Sequence, residues 1–461
     1  MFNLNSILIG ENGRNFLLKN IIGESDLFIN SFLKKRELIF FLCNNTIDSI
    51  SLYVSFINKG VVPILINSDL EESLIRDIIE KYNPSYIFTP LTNQNYDLKY
   101  AEFLTYNSFS VLKSANSFQT ELDSELAILL SSSGSTGSPK LIRISYKNLL
   151  SNAISISNYL NLNSDEIAIT NLPMNYSYGL SIINSHLYVG AKIVVTEKSV
   201  IQRDFWELVK INNVTSLSGV PYTYEILKKL RFFKMDLSSI RYMTQAGGKL
   251  SNSIIEEFAN HYRNKNIDFF IMYGQTEGTA RLSYLNPNKI IEKLGSIGKA
   301  IPGGEFRLVS NENKTIELPN IEGELVYIGE NVMLGYANEI SHLSKGAELN
   351  NTLYTGDLAY KDEEGYFFIT GRKKRFIKIY GNRFSLDEIE NHIKINEIEC
   401  ACTGLDDKLK VFITDINNEQ KVKNVLRKLK IQKSAFKILT IQILPKNSSG
   451  KILYSKLKTN E

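Results

Sequence analysis

The stretch ELIFFLCNNTIDSISLYVSFINKGVVPILINSDLEESLIRDIIEKYNPSYIFT, residues 37–89, decides the fold class. Its apolar runs ELIFFLC (37–43), VVPILI (61–66) and SYIFT (85–89) have strand length, and they alternate with IDSISLYVSFINKG (47–60) and LEESLIRDIIEKY (70–82), where apolar residues recur with helical period. Successive βαβ units follow, and with them a mostly parallel sheet covered by helices on both faces. The same alternation resumes at ELAILL (125–130). After about Gly371 the texture changes to a shorter, basic βαβ-like stretch with long polar connections, which predicts a small second domain.

Length and composition agree with this division. At 461 residues the chain exceeds what one hydrophobic core organises. A hydrophobic share of 43% with 22% charged residues is ordinary globular composition, far from that of disordered chains. The start MFNLNSILIGENGRNF has no basic run ahead of an apolar stretch, and no run of about 18 apolar residues occurs, so a cytoplasmic protein without membrane insertion is expected. Three cysteines, Cys43, Cys400 and Cys402, are too few and too clustered for a disulfide framework. The CxC pair has no second Cys or His cluster at finger spacing, which disfavours a zinc site. Residues 371–461 hold 20 Lys plus Arg against 10 Asp plus Glu, leaving 33 against 39 before them. The basic tail suits an anionic partner such as a nucleotide, coenzyme A or an acidic carrier protein. Nucleic acid is not indicated, because aromatic residues are not interleaved with the basic ones.

The segment LLSSSGSTGSPK (129–140) sits between a strand-like run and the helix-like YKNLLSNAISISNYL (146–160). Small residues let backbone N–H groups close around an anion, and Lys140 adds a positive charge, so a polyphosphate cradle is expected. The GxxxxGK[ST] pattern of P-loop NTPases is not met: the glycines are Gly134 and Gly137, and Pro139 precedes the lysine.

SSSGSTGSPK resembles the phosphate-binding loop of the acyl-adenylate-forming superfamily, which includes acyl-CoA synthetases, luciferases and peptide-synthetase adenylation domains. Five further segments resemble that family's motifs in the same order: LPMNYSYGL (172–180), RYMTQAGGKL (241–250), YGQTEGTARLSYL (273–285), YTGDLAY (354–360) with GRKKRFIKIYGNRFSLDEIE (371–390), and LPKNSSGKI (444–452). The resemblance implies a large N-terminal domain of α/β layers over 1–371, with parallel sheets and a small β-barrel-like part, and a small mobile α+β domain over 372–461. It implies ATP and Mg²⁺ as cofactors and a small-molecule carboxylic acid as substrate. The acceptor implied is a thiol, either coenzyme A or a phosphopantetheine carrier, the latter bringing an acyl carrier protein as partner. An amine acceptor giving an amide, and a degenerate binding module, are the alternatives.

The same resemblance assigns roles. Ser133, Gly134, Ser135, Thr136, Gly137 and Lys140 would cradle phosphates. Ala246, Gly247 and Gly248 would form the adenine loop, with Tyr273 against the adenine and Gly274 and Gln275 beside it. Thr276 would donate to phosphate and Glu277 would hold Mg²⁺. Asp357 would accept both ribose hydroxyls, reinforced by Arg372. Tyr176, Tyr178, Gly247 and Gly248 would border the acyl pocket. Lys374 would be the hinge, Lys378 and Gly381 would face the acceptor, and Lys451 would be the mobile catalytic lysine, bridging the carboxylate and the α-phosphate. Some positions depart from the family. Leu141 follows the loop lysine where glycine is common, Tyr146 replaces a histidine, and Tyr176 stands where acyl-CoA synthetases often have histidine. The acyl motif also lacks the aspartate with which amino-acid adenylation domains hold an α-ammonium, which argues against an ordinary α-amino acid.

Overall fold

A computed structural model describes every residue except 69, 93–99, 116–120, 132–139, 264, 374, 381, 447–451 and 458–461, and omits the side chain at 383. Residues 37–89 fold as their pattern implies. The strands Leu38–Cys43, Val62–Asn67 and Tyr86–Pro90 are parallel, with Leu38–Cys43 between the other two. All six residues of Leu38–Cys43 are buried, and the pleat sorts them. Ile39, Phe41 and Cys43 enter a core shared with the helix Ile47–Lys59, while Leu38, Phe40 and Leu42 enter another shared with Glu72–Tyr82. Each such side chain removed from water contributes about 1.5–3 kcal/mol, so this strand is a principal anchor. The Ile47–Lys59 helix begins where the Thr46 hydroxyl accepts from the Ser49 N–H and stops at Gly60, whose φ of 76° is left-handed.

This sheet has eight strands, in the order Gly335–Ala337, Leu141–Ser145, Leu126–Ser131, Val62–Asn67, Leu38–Cys43, Tyr86–Pro90, Phe109–Ser114, Tyr100–Tyr106. Only the four central strands run parallel; two antiparallel strands flank them on each side. The segment 129–140 therefore leads not straight into a helix but into a return strand, and the helix Tyr146–Tyr159 starts only after it. A connection of that length closes an antiparallel pair without a crossover helix.

A second sheet carries Ser216–Gly219, Tyr242–Gln245 and Asp268–Tyr273 in parallel, followed by the antiparallel Ser283–Leu285 and Lys299–Ala300. The part expected to be barrel-like is a four-stranded antiparallel sheet of Gly304–Val309, Gly323–Gly329, Thr352–Lys361 and Phe367–Arg372, packed around Phe306, Leu325, Tyr327 and Phe367. A small sheet of Ile167–Ile169, Lys192–Val194, Ile7–Ile9 and Asn15–Leu17 completes the large domain.

Past Arg372 a separate small core forms around Ile377, Ile389, Val411 and Leu426. The strands Lys408–Ile413 and Phe436–Thr440 are parallel and joined through the helix Glu419–Lys428, a βαβ unit, while Cys400–Leu405 pairs antiparallel to the first. Cys400 and Cys402 lie wholly inside this core, where burial pushes the Cys400 thiol up to about 12. Among the described residues no helix is long and apolar enough to cross a membrane.

Candidate active site

Ser131 and Tyr273 end parallel strands of the two larger sheets at their carboxyl termini, the usual side for ligands in open α/β sheets, and the segments that carry the site follow them. Ser131 and Leu141 are paired, so the phosphate-loop segment leaves and re-enters the sheet at a fixed register. Ser133, Gly134, Ser135, Thr136 and Gly137 lie outside the described residues. Lys140, the next described position, places its Nζ 5.6 Å from the ring centre of Tyr336. Tyr336 pairs with Ile142 on the neighbouring strand, and its hydroxyl donates to Glu277 Oε1 at 2.9 Å. Lys140 and Glu277, far apart in sequence, thus meet over a tyrosine that the motifs did not include.

Glu277 belongs to a tight turn that closes the strand Asp268–Tyr273. Gly274 is required there: a Cβ would stand 1.7 Å from the Ala280 carbonyl oxygen. Thr279 and Ala280 have φ of 53° and 96°, a region that side-chain-bearing residues rarely occupy. Such strain survives only where neighbours over-determine it. Asn331 does so, donating to the carbonyls of Gly278 and Arg281 and accepting at its own carbonyl from the Thr279 hydroxyl. Thr276 Oγ1 lies 3.1 Å from Ser177 Oγ at the first turn of the helix Ser177–Val189. Glu277 is half-buried and pairs with no cation among the described residues. It fits Mg²⁺, which takes one or two protein carboxylates and completes its shell with phosphate oxygens and water.

Asp357 is 8% exposed on the strand Thr352–Lys361. Tyr273 donates its hydroxyl to Asp357 Oδ2 at 2.5 Å, and Arg372, opposite Asp357 in the register, places Nε 3.3 Å from Oδ1. These contacts orient Asp357, and a carboxylate offers about four acceptor sites, the chemistry that suits a diol. Burial and the adjacent carboxylate hold the Tyr273 phenol well above its usual range, so it stays a donor. Gln275 Nε2 reaches the Thr355 carbonyl at 3.4 Å, tying the same turn to the same strand.

Among the residues expected to border the acyl pocket, Gly247 has φ of 84°, and a Cβ there would come within 2.5 Å of the Tyr176 hydroxyl. Tyr176 therefore lies over Gly247, while Gly248 faces Pro221 and the Ala246 N–H donates to the Gly219 carbonyl. Tyr178 is placed differently. It is 3% exposed, its hydroxyl is bound to Thr244 Oγ1 at 2.7 Å, and its ring covers the Arg281 guanidinium at 5.1 Å. It is a wall behind Tyr176, not an open surface.

In the tail, Lys378 is exposed, with its backbone N–H held by Asp406. Lys374, Gly381 and Lys451 lie outside the described residues. The positions flanking the lysine segment are pinned: Lys446 and Ile452 form a bridge, and the Leu453 N–H donates to Pro445. Motif reading missed Tyr336, Ser177 and Arg281. Only Arg281 left a signal, a charge between Ala280 and Leu282 in an otherwise apolar strand entry.

Relatives share this whole architecture. A 2-succinylbenzoate–CoA ligase of Bacillus mycoides (strain KBAB4) is 24% identical over 444 residues, covering 92% of this chain and 89% of that protein. The structure of o-succinylbenzoate CoA synthetase from Bacillus subtilis with its acyl-adenylate intermediate superposes with a TM-score of 0.81 at 22% identity, covering 99% of this chain and 96% of that one. The same synthetase with ATP and a magnesium ion gives 0.78 at 22% identity, covering 98% and 96%. A sequence model described as AMP-binding enzyme matches residues 29–337, about two thirds of the chain, and the protein belongs to that family.

Proposed function

We propose that this chain is an ATP-dependent, AMP-forming carboxylate ligase that makes an acyl-adenylate and passes the acyl group to the thiol of coenzyme A. The observation that carries it is the pairing of two preset carboxylates at the end of one strand, Asp268–Tyr273: Asp357 oriented by Tyr273 and Arg372, and Glu277 oriented by Tyr336 beside Lys140. One suits a ribose diol, the other the metal that accompanies a polyphosphate.

In the first step a carboxylate oxygen of the acid attacks the α-phosphorus and pyrophosphate leaves with the bonding electrons. Anions are brought together, so the residues present must offset charge that grows in the transition state. Thr276 donates a hydrogen bond to phosphate, Lys140 supplies a cation, and Lys451 bridges the carboxylate and the α-phosphate. Mg²⁺, held by Glu277, supplies neutralising charge to the phosphates when bound. In the second step the thiolate attacks the acyl carbonyl and AMP departs.

The change of step is assigned to a rotation of residues 372–461 about Lys374. Beyond the hinge, two of the tail's pairs with the large domain are exposed, Lys456 with Glu71 at 3.2 Å and Lys446 over Tyr222 at 5.6 Å, and these cost little to break. The test is product stoichiometry: with a competent acid, one acyl-CoA and one AMP should form per ATP consumed, with no ADP. Adenylate formation that ends in an amide without thiol dependence would replace coenzyme A by an amine acceptor. ATP binding with no turnover of any acid would leave a binding module.

A further inference from the structure

Glu390 is 3% exposed inside the small tail domain, where a carboxylate is costly unless donors replace the water it has lost. Four donors reach it. Oε1 accepts from the Arg375 guanidinium at 2.8 Å and from the Cys402 N–H at 2.7 Å, and Oε2 accepts from the Tyr454 hydroxyl at 3.0 Å and from Lys394 Nζ at 3.4 Å. The Arg375 guanidinium also pairs with Asp387, donates to the Cys402 carbonyl at 2.8 Å and packs 3.8 Å from the Tyr454 ring centre. Burial and the adjacent Glu390 hold the Tyr454 phenol well above its usual range, so it remains the donor. One buried carboxylate thus joins the segment after Lys374, the helix Leu386–Lys394 and the segment after Lys451.

The last of these stretches has little else to hold it. Among the described residues beyond Thr440 there is no strand, only the bridge between Lys446 and Ile452 and the short turn Tyr454–Lys456. Its buried apolar anchors are Leu444 and Leu457, packed with Ala401 and Phe412. Tyr454 is three residues past Lys451, so the polar anchor lies close in the chain to the lysine it would steady. The other end of the network adjoins the hinge. Arg375 directly follows Lys374, whereas Lys373, directly before it, is tied to the large domain: its Nζ reaches Glu324 Oε2 at 2.6 Å and its N–H donates to the Gly356 carbonyl at 2.8 Å. The chain is fixed to the large domain at residue 373 and to the Glu390 cluster at residue 375.

We propose that Glu390, Arg375 and Tyr454 are positioning residues for adenylation, making the lysine segment one rigid body with the residue that follows the hinge, so that rotation about Lys374 delivers Lys451 in a single pose. This rests on the ligase reading above, in which Lys451 bridges the carboxylate and the α-phosphate; the three residues act through that lysine and not on substrate. Well-packed apolar side chains of similar volume stabilise a core as well as a buried ion network does, so what the network adds is fixed geometry. Geometry matters here because a misplacement of about 1 Å at a reacting group costs about 100-fold in rate.

The test compares the two half-reactions in Tyr454→Phe, which loses only the hydroxyl, and in Tyr454→Ala, which also loses the ring against Arg375. With the acid that exchanges fastest, kcat for pyrophosphate–ATP exchange should fall by about 10-fold in Tyr454→Phe and about 100-fold in Tyr454→Ala, with KM for ATP within about twofold of the wild type. Thioester formation from the preformed adenylate of that acid and coenzyme A should stay within about threefold in both. In a Lys451→Ala background the same tyrosine changes should have no further effect on exchange, because residues that act as a unit are not additive. Equal losses in the two half-reactions overturn the inference in favour of a purely structural role. Undiminished exchange in Tyr454→Ala overturns it too, as does a loss that persists in the Lys451→Ala background, and each of these leaves the ligase reading standing. If Tyr454→Ala does not fold, Tyr454→Phe decides by the same measures. A folded wild type that exchanges with no acid overturns the ligase reading itself, and this inference with it.

Discussion

Asp357 and Glu277 each accept from a tyrosine hydroxyl, which fixes the orientation of both carboxylates. Replacing Asp357 by Asn keeps the shape but sets an amide against Arg372 and a weaker acceptor before the ribose. The KM for ATP should rise by about 10- to 100-fold, since hydrogen bonds to charged groups contribute about 1.5–3 kcal/mol. Glu277→Gln should raise the Mg²⁺ requirement and lower kcat by about 100-fold, whereas Tyr336→Phe, which only releases the carboxylate, should cost about tenfold. Titrating initial rates against Mg²⁺ at saturating ATP checks the order. An equal loss in Tyr336→Phe and Glu277→Gln would mean that Tyr336 acts on the substrate itself. The two carboxylates were legible because each sits in a short motif with fixed neighbours. Tyr336 and Ser177 were not, because their roles arise where separate strands and helices meet, and nothing in their local sequence marks that meeting.

The turn 274–281 is the element on which the site depends. It places Thr276, Glu277 and Arg281 within one short excursion, and its path requires Gly274 to pass the Ala280 carbonyl. Gly274→Ala puts a Cβ into backbone that cannot yield cheaply. We expect a loss of about 3 kcal/mol or more, or a displaced turn with activity lost at nearly unchanged stability. Ala280→Gly removes a side chain from a left-handed position and should not lower Tm; calorimetry on the two variants side by side checks both signs. The sequence showed strands, helices and glycine-rich turns where apolar periodicity was strong, as in 37–89. It hid the return strand Leu141–Ser145, because LIRIS is short and is followed at once by a strong helix pattern. It also understated antiparallel pairing, since the inner antiparallel strands Phe109–Ser114 and Leu141–Ser145 bury residues much as the parallel ones do.

In the whole molecule, the large domain buries a neutral histidine in its interior. His186 is enclosed beside Tyr242, with Nδ1 2.8 Å from the Ile182 carbonyl and Nε2 3.2 Å from the Tyr242 hydroxyl. Burial depresses its pKa from 6.5 to about 4, so the unfolded chain takes up a proton that the folded chain refuses. The associated stability is complete above pH 6.5 and is lost as pH falls toward 4. Going from about pH 7.5 to about pH 5 should cost on the order of 2 kcal/mol, at about 1.36 kcal/mol per unit. Urea midpoints across that range, in the wild type and in His186→Asn, check this: the variant should be less stable at neutral pH but show a shallower fall. The proposed tail rotation predicts a split between half-reactions, in which Lys451 would serve adenylation while Lys378 and Gly381 would serve transfer to the acceptor. The decisive measurement is carboxylate-dependent exchange of labelled pyrophosphate into ATP by the wild type and by Lys451→Ala. Exchange by the wild type with at least one acid, falling by about 100-fold or more in a folded, ATP-binding Lys451→Ala, is the expected result. Undiminished exchange in Lys451→Ala, or none in a wild type that converts the same acid to its thioester, would contradict adenylation through this lysine.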